Sequence, residues 1–223
     1  MSLRERCTES FAGIALKRLF TVEVSEGSEA NIKSIRAHLE NGSVVFYYNQ
    51  ISNTDGPVII ATIAQNMGPS INHLAVLGAY KDYDVARNLT SLSRLGQSLV
   101  MRFAPSFFSV EMLPIIQAYD KDSYSKEANH VLLRRFIKRS REILRQPGGA
   151  FLLSPEGTRS PDGKLQKALP GIEHLGKYGN VVFVPIAHYS EGPYSREFSL
   201  DGNWVIRVGG NDFCQGPFAR VNP

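Results

Sequence analysis

From Ser154 to Ser160 the chain reads SPEGTRS, a carboxylate, a glycine, hydroxyls and a guanidinium in one short polar stretch directly after the apolar run Phe151-Leu152-Leu153. These residue types suit an anion. A glycine at Gly157 lets the backbone come close to a ligand, Thr158 and Ser160 offer hydroxyls, and Arg159 presents a planar fork matched to phosphate oxygens. Glu156 is placed to orient that arginine or a ligand hydroxyl. The same composition also makes a polar turn with a surface ion pair, and the P-loop pattern G-x-x-x-x-G-K-[ST] is absent.

A second polar stretch, NQISNTD from Asn49 to Asp55, lies between the apolar segments SVVFYY and VIIATIA. Strand, polar loop and helix in that order form a place where α/β proteins put functional groups. Pro57 suits a first helical residue. The amide of Gln50 can donate and accept hydrogen bonds, but it has no nitrogen that is basic near neutral pH, so it cannot take up a proton.

The elements that must hold these stretches follow from hydrophobic periodicity. Ser28 is the expected N-cap of a helix with Ile32, Ile35 and Leu39 buried, ended by Asn41-Gly42. SVVFYY, EMLPIIQAY, the run before SPEGTRS, and NVVFVPIAHYS read as buried strands. Ser125 to Gln146 reads as a long helix, with Ala128, Leu132, Phe136 and Ile143 at helical spacing and a separate basic stripe of Arg134, Lys138, Arg141 and Arg145. Residues 66–108, which include Arg87, Arg94 and Arg102, mix turn signals with helical patches and yield no defined element. The expected fold is α/β, a mixed central sheet flanked by helices over residues 28–223, preceded by an N-terminal helical element over 1–27 that contains the helically spaced FAGIALKRLF.

With 223 residues, 43% of them hydrophobic, the chain can bury a substantial core. A formal net charge of +4 fits anionic ligands or a membrane surface. Nucleic acid is not an expected partner, because neither a recognised binding module nor interleaved aromatic residues accompany the basic stripe. Cys7 and Cys214 stand near opposite ends with no C-x-x-C pair, so no metal site and no disulfide framework are expected. The longest apolar stretches fall short of the roughly 20 residues that span a bilayer. Together with the lack of a secretory leader pattern, this makes a cytoplasmic protein, peripheral at the membrane, the expectation.

The stretch FLLSPEGTRS resembles the phosphate-binding block of the glycerophospholipid acyltransferases, the glycerol 3-phosphate and 1-acylglycerol 3-phosphate acyltransferases. VVFVPIAHY resembles their later valine-proline strand, with Pro185 at the proline position, and YYNQISNTDGPVI resembles their N-H-x-x-x-x-D block. These stretches run in the family's order from Val44 to Tyr189. LPIIQAYDK is the best counterpart of a further acceptor-binding block, with Tyr119 or Lys121 where the family often has arginine.

The resemblance implies an O-acyltransferase that moves a fatty acyl group from acyl-CoA or acyl carrier protein to a hydroxyl of glycerol 3-phosphate or a lysophospholipid. Transfer is direct, with no acyl-enzyme, no bound cofactor and no metal. Glu156, Gly157, Thr158, Arg159 and Ser160 correspond to the phosphate-binding residues, and Asp55 to the aspartate that holds the catalytic base. Gln50 stands where that base, a histidine, is expected.

Loss of such a base costs about 100- to 10,000-fold in rate. No other histidine completes the pattern, since none of His38, His73, His130, His174 and His188 has an aspartate five positions later. A histidine distant in sequence and brought in by the fold remains one source of a base. Three readings stand: an acyltransferase disabled by substitution at Gln50, a non-catalytic relative that binds lipid or an acyl carrier, and an unrelated α/β phosphate-ester binder or hydrolase.

Overall fold

The computed structural model describes residues 21–25, 27–50, 55–79, 110–117, 122–157, 167–168, 172–191 and 203–208. The helically spaced FAGIALKRLF, Cys7, Cys214, Arg87, Arg94 and Arg102 lie outside them. The strands are β1 (Thr21–Val24), β2 (Ser43–Tyr48), β3 (His73–Ala79), β4 (Val110–Ile115), β5 (Gly149–Leu153), β6 (Val181–Glu191) and β7 (Asn203–Val208). Between them run helices α1 (Ser28–Leu39), α2 (Asp55–Met67) and α3 (Lys126–Leu144), with a 3-10 segment at Ile172–Tyr178.

Among the described residues the strands form one sheet in the order β1-β7-β6-β2-β5-β3-β4. The five from β6 to β4 are parallel to one another. β7 runs antiparallel to β6, and β1 pairs parallel with β7, so the sheet is mixed as the sequence suggests. β1 brings part of the region 1–27 into this sheet as a strand.

Strand periodicity explains the two layers of core. Val44, Phe46 and Tyr48 of β2, with Ala150 and Leu152 of β5, pack against Ile32, Ile35 and Leu39 of α1 and Val58, Ile59 and Ile63 of α2. Val45 and the alternate residues Phe151 and Leu153 pack on the other face with Ile143 and Leu144 of α3 and Leu175 of the 3-10 segment. Strands covered on both faces lose the apolar-polar alternation of a half-exposed strand, which is why these segments read as continuous apolar runs.

Three boundaries differ from the sequence expectation. Gly27, not Ser28, is the N-cap of α1; its φ of 85° suits glycine, while Ser28 is the first helical residue and shares a 3.1 Å hydrogen bond with Ser25. Helix α2 starts at Asp55 rather than Pro57, which puts the Asp55 carboxylate in the first turn, where the helix dipole favours it. β3 was not legible as a strand: HLAVLGA is a short apolar run, and its partners β4 and β5 decide its conformation. The expected cap at Ser125 holds, its hydroxyl accepting from Ala128 N at 3.1 Å. Of the basic stripe on α3, Arg134, Lys138 and Arg145 are exposed, and exposed Arg141 lies 5.6 Å from the centre of the Tyr178 ring.

An ion cluster ties α3 to the outer strands. Arg139 Nε donates to Glu111 Oε1 at 2.9 Å, His73 Nε2 is 2.9 Å from Glu111 Oε2, and Arg139 also pairs with Glu142. The Arg139 hydrogen bond is the main reason the Glu111 carboxyl titrates below its ordinary 4.5. Because the folded pKa is depressed, the stabilisation is complete above the unfolded value and is lost as pH falls through the folded one. Glu111→Gln is expected to cost about 1–3 kcal/mol at pH 7, with the difference from the parent narrowing below pH 4.5, measured by urea denaturation at several pH values.

Candidate functional site

Because five neighbouring strands are parallel, their carboxyl ends lie along one edge of the sheet. Tyr47 of β2 is opposite Leu153 of β5, and Tyr48 is opposite Ile186 of β6. The chain leaving β2 passes Gln50 and enters α2 at Asp55, and the chain leaving β5 passes Ser154 to reach Glu156 and Gly157. Two polar stretches more than a hundred residues apart in sequence thus emerge from adjacent strands, whose backbones are about 4.8 Å apart.

Both carboxyl groups at this edge are deeply placed. Asp55 is 0% exposed and Glu156 is 6% exposed. An acid is seldom buried without a partner or a function, and each of these two has an interaction within the protein. Gly157 has φ 65°, the left-handed conformation that favours glycine, and its N–H donates to Ser154 O at 3.2 Å. This closes a tight turn and sets the direction in which the chain leaves β5.

Tyr48 brings a third polar group. A Cβ placed on Gly56 would stand 3.7 Å from the Tyr48 hydroxyl, so the phenol lies against the first turn of α2. Burial, and secondarily the charge of Asp55, push its pKa well above the ordinary 10. Tyr48 therefore stays a neutral phenol at physiological pH.

Two buried oxygens at this edge lack a hydrogen-bond partner among the described residues: Ser154 Oγ, just past β5, and Gln117 Oε1, two residues past β4. An orphaned buried polar atom costs free energy unless a ligand or ordered water completes it.

Of the residues singled out from sequence, the fold brings Gln50, Asp55, Glu156 and Gly157 to neighbouring strand ends. Thr158, Arg159, Ser160, Tyr119 and Lys121 lie outside the described residues. Sequence reasoning missed Tyr48, Ser154 and Gln117 as candidates. Tyr48 reads as core because it is core, and its hydroxyl acquires meaning from the helix packed over it. Gln117, a polar residue ending an apolar strand pattern, was the available signal for the third.

Among the described residues no group of three or more His, Cys, Asp or Glu side chains could hold a metal ion. No described helix is long and apolar enough to cross a membrane. Comparison with protein-family models and with curated proteins finds no match to the chain.

Replacing Gln117 by methionine keeps its length and removes the orphaned oxygen. The ligand-free protein is expected to melt about 2–4 °C higher. A lower melting temperature by scanning calorimetry would mean that the amide makes a structural hydrogen bond.

Proposed function

We propose that this protein is an O-acyltransferase acting at the carboxyl edge of its parallel strands, with an acyl thioester as donor and glycerol 3-phosphate or a lysophospholipid as acceptor, in a form inactivated by Gln50 standing where the reaction needs a histidine. The observation that carries the reading is that Gln50, just past β2, and Asp55, at the start of α2, share the carboxyl edge with the Glu156–Gly157 turn that follows the adjacent β5, with both acids buried. The reaction needs such a juxtaposition, since the acceptor must have its phosphate held and its hydroxyl aimed at the thioester at once.

In this scheme Arg159, Thr158 and Ser160 hold the acceptor phosphate, and Glu156 orients the arginine or a hydroxyl. Tyr119 or Lys121 supplies a further acceptor contact. The acceptor oxygen attacks the thioester carbonyl, a base takes its proton, and the carbon–sulfur bond breaks to release the thiol. In the Gln50→His form Asp55, in the first turn of α2, holds the imidazole and stabilises the imidazolium that forms. No metal and no bound cofactor enter the scheme. The donor is acyl-CoA or acyl carrier protein, and the setting is the cytoplasmic face of a membrane, with the protein peripheral to it.

Gln50 favours a second reading, a non-catalytic relative that binds lipid or an acyl carrier. The two readings separate in one assay. With radiolabelled acyl-CoA and glycerol 3-phosphate or lysophosphatidate, Gln50→His is expected to transfer acyl groups about 100- to 10,000-fold faster than Gln50→His/Asp55→Asn. No turnover by Gln50→His, with lipid binding retained, would establish the binding protein instead.

A further inference from the structure

Three of the four large hydrophobic side chains that stand exposed among the described residues are on one helix: Val131 is 65% exposed, Leu133 46% and Ile137 38%, all on α3. Single exposed apolar residues are ordinary on a protein surface, whereas several on one element form a patch that marks an interaction site. The covered side of α3 is accounted for by the core. Phe136 meets the Phe151 ring edge-on at 5.8 Å, and Ile143 and Leu144 pack with Phe151 and Leu153 of β5. Val131, Leu133 and Ile137 are left outside that contact.

The exposed side of the helix carries charge of one sign. Lys126, Arg134, Arg135, Lys138 and Arg141 are exposed on α3, with exposed Arg145 directly after it, and Glu127 is the one exposed acid of the helix. Arg139 is engaged by Glu111 and Glu142, Lys138 Nζ lies 4.0 Å from Glu142 Oε1, and Arg141 is over the Tyr178 ring. Among the described residues Arg134, Arg135 and Arg145 are in no ion pair. Residues three and four apart are neighbours on a helix surface, so Val131 stands beside Arg134 and Arg135, and Ile137 beside Leu133 and Arg134.

Topology places this face relative to the site. β4 and β5 are both parallel to β3, and α3 joins them, so the helix runs back against the strands from their carboxyl edge to the opposite one. The Arg139–Glu111 pair marks the far end, because Glu111 is at the start of β4. Val131, Leu133 and Ile137 precede Arg139 and therefore lie toward the carboxyl edge, which carries Asp55 and Glu156.

We propose that the outer face of α3 is a docking surface for an anionic phospholipid bilayer. Arginine and lysine place their charged heads among lipid phosphates and lay their aliphatic stems along the interface, while Val131, Leu133 and Ile137 enter the boundary between headgroups and acyl chains. The charge of the face complements the lipid, and its three aliphatic side chains find an apolar medium there that the backbone of a nucleic acid lacks. The inference rests on the membrane setting given above and not on the acyl-transfer chemistry. It adds an orientation to that setting: the carboxyl edge of the sheet is turned toward the lipid, the source of a lysophospholipid acceptor.

The test is co-sedimentation with vesicles of phosphatidylcholine alone and of phosphatidylcholine with about 30% phosphatidylglycerol, at about 0.1 and 0.5 M salt. The parent should bind the anionic vesicles about tenfold or more tightly than the neutral ones and lose most of that preference at the higher salt. Arg134→Gln/Arg135→Gln should weaken binding about 20- to 30-fold, and Leu133→Ser/Ile137→Ser about tenfold with its salt dependence kept. Val182→Ser, at the exposed apolar residue outside α3, should bind as the parent does. All the replaced side chains are exposed, so each variant is expected to melt with the parent. A parent that ignores vesicles, that binds neutral and anionic ones equally, or whose binding survives both α3 variants overturns the proposal. Capture of the parent by acyl carrier protein with no vesicle binding overturns it too and gives the face to an acidic protein. Acyl transfer to glycerol 3-phosphate in the Gln50→His background should be unchanged by Arg134→Gln/Arg135→Gln, and failure of that transfer would remove the acyl-transfer reading while the vesicle result stands.

Discussion

The parallel pairing of β2 with β5 on one side and β6 on the other is the interaction on which the rest of the structure depends. It ties segments near residues 45, 150 and 185 into one ladder with a common direction. A common direction gives the strands a common exit edge. The chain segments that lead to Asp55 and to Glu156 leave from that edge, so backbone hydrogen bonds between strands bring together residues scattered along the chain.

The same pairing dictates what lies below the edge. Strands covered on both faces are apolar along their length, as the fully buried Val44, Val45, Phe46, Ala150, Phe151 and Leu152 show. Such a core has few partners for a polar side chain, and the buried Ser43 hydroxyl finds one in a backbone carbonyl, donating to Leu144 O at 2.8 Å. Polar groups therefore collect where the strands stop, and there Tyr48, Asp55, Ser154 and Glu156 sit in surroundings of low polarity that strengthen their interactions with one another and with a ligand. The raised pKa of Tyr48 is one consequence, driven first by burial and then by Asp55. At the other end of the outer strands, the Glu111–Arg139–His73 cluster anchors α3 without entering the site.

Parts of this arrangement were open to inspection in the linear chain. SVVFYY and the run before SPEGTRS emerge as strands with nearly the expected limits, EMLPIIQAY stops as a strand at Ile115, and the Ser125 cap of α3 holds. The amphipathic α1 buries Ile32, Ile35 and Leu39 as its spacing requires. HLAVLGA escaped notice because an apolar run of that length has no periodicity of its own to separate strand from helix. Gln50, Asp55, Glu156 and Gly157 were legible as candidates because polar stretches directly after buried strands are conspicuous in any sequence. Tyr48 and Ser154 were not, because whether a hydroxyl in an apolar segment is satisfied depends on what packs over it.

The sequence by itself determined the class of fold, the existence of β2, β4, β5 and β6 and the residue types at the two polar stretches, since those follow from local patterns of hydrophobicity and turn chemistry. Strand order is a different kind of fact. Nothing in the local pattern of NVVFVPIAHYS says that it lies beside SVVFYY, or that Ile186 stands opposite Tyr48. That neighbour relation comes from hydrogen bonds between segments more than a hundred residues apart and from the burial of both sheet faces, and the tertiary structure alone decided it.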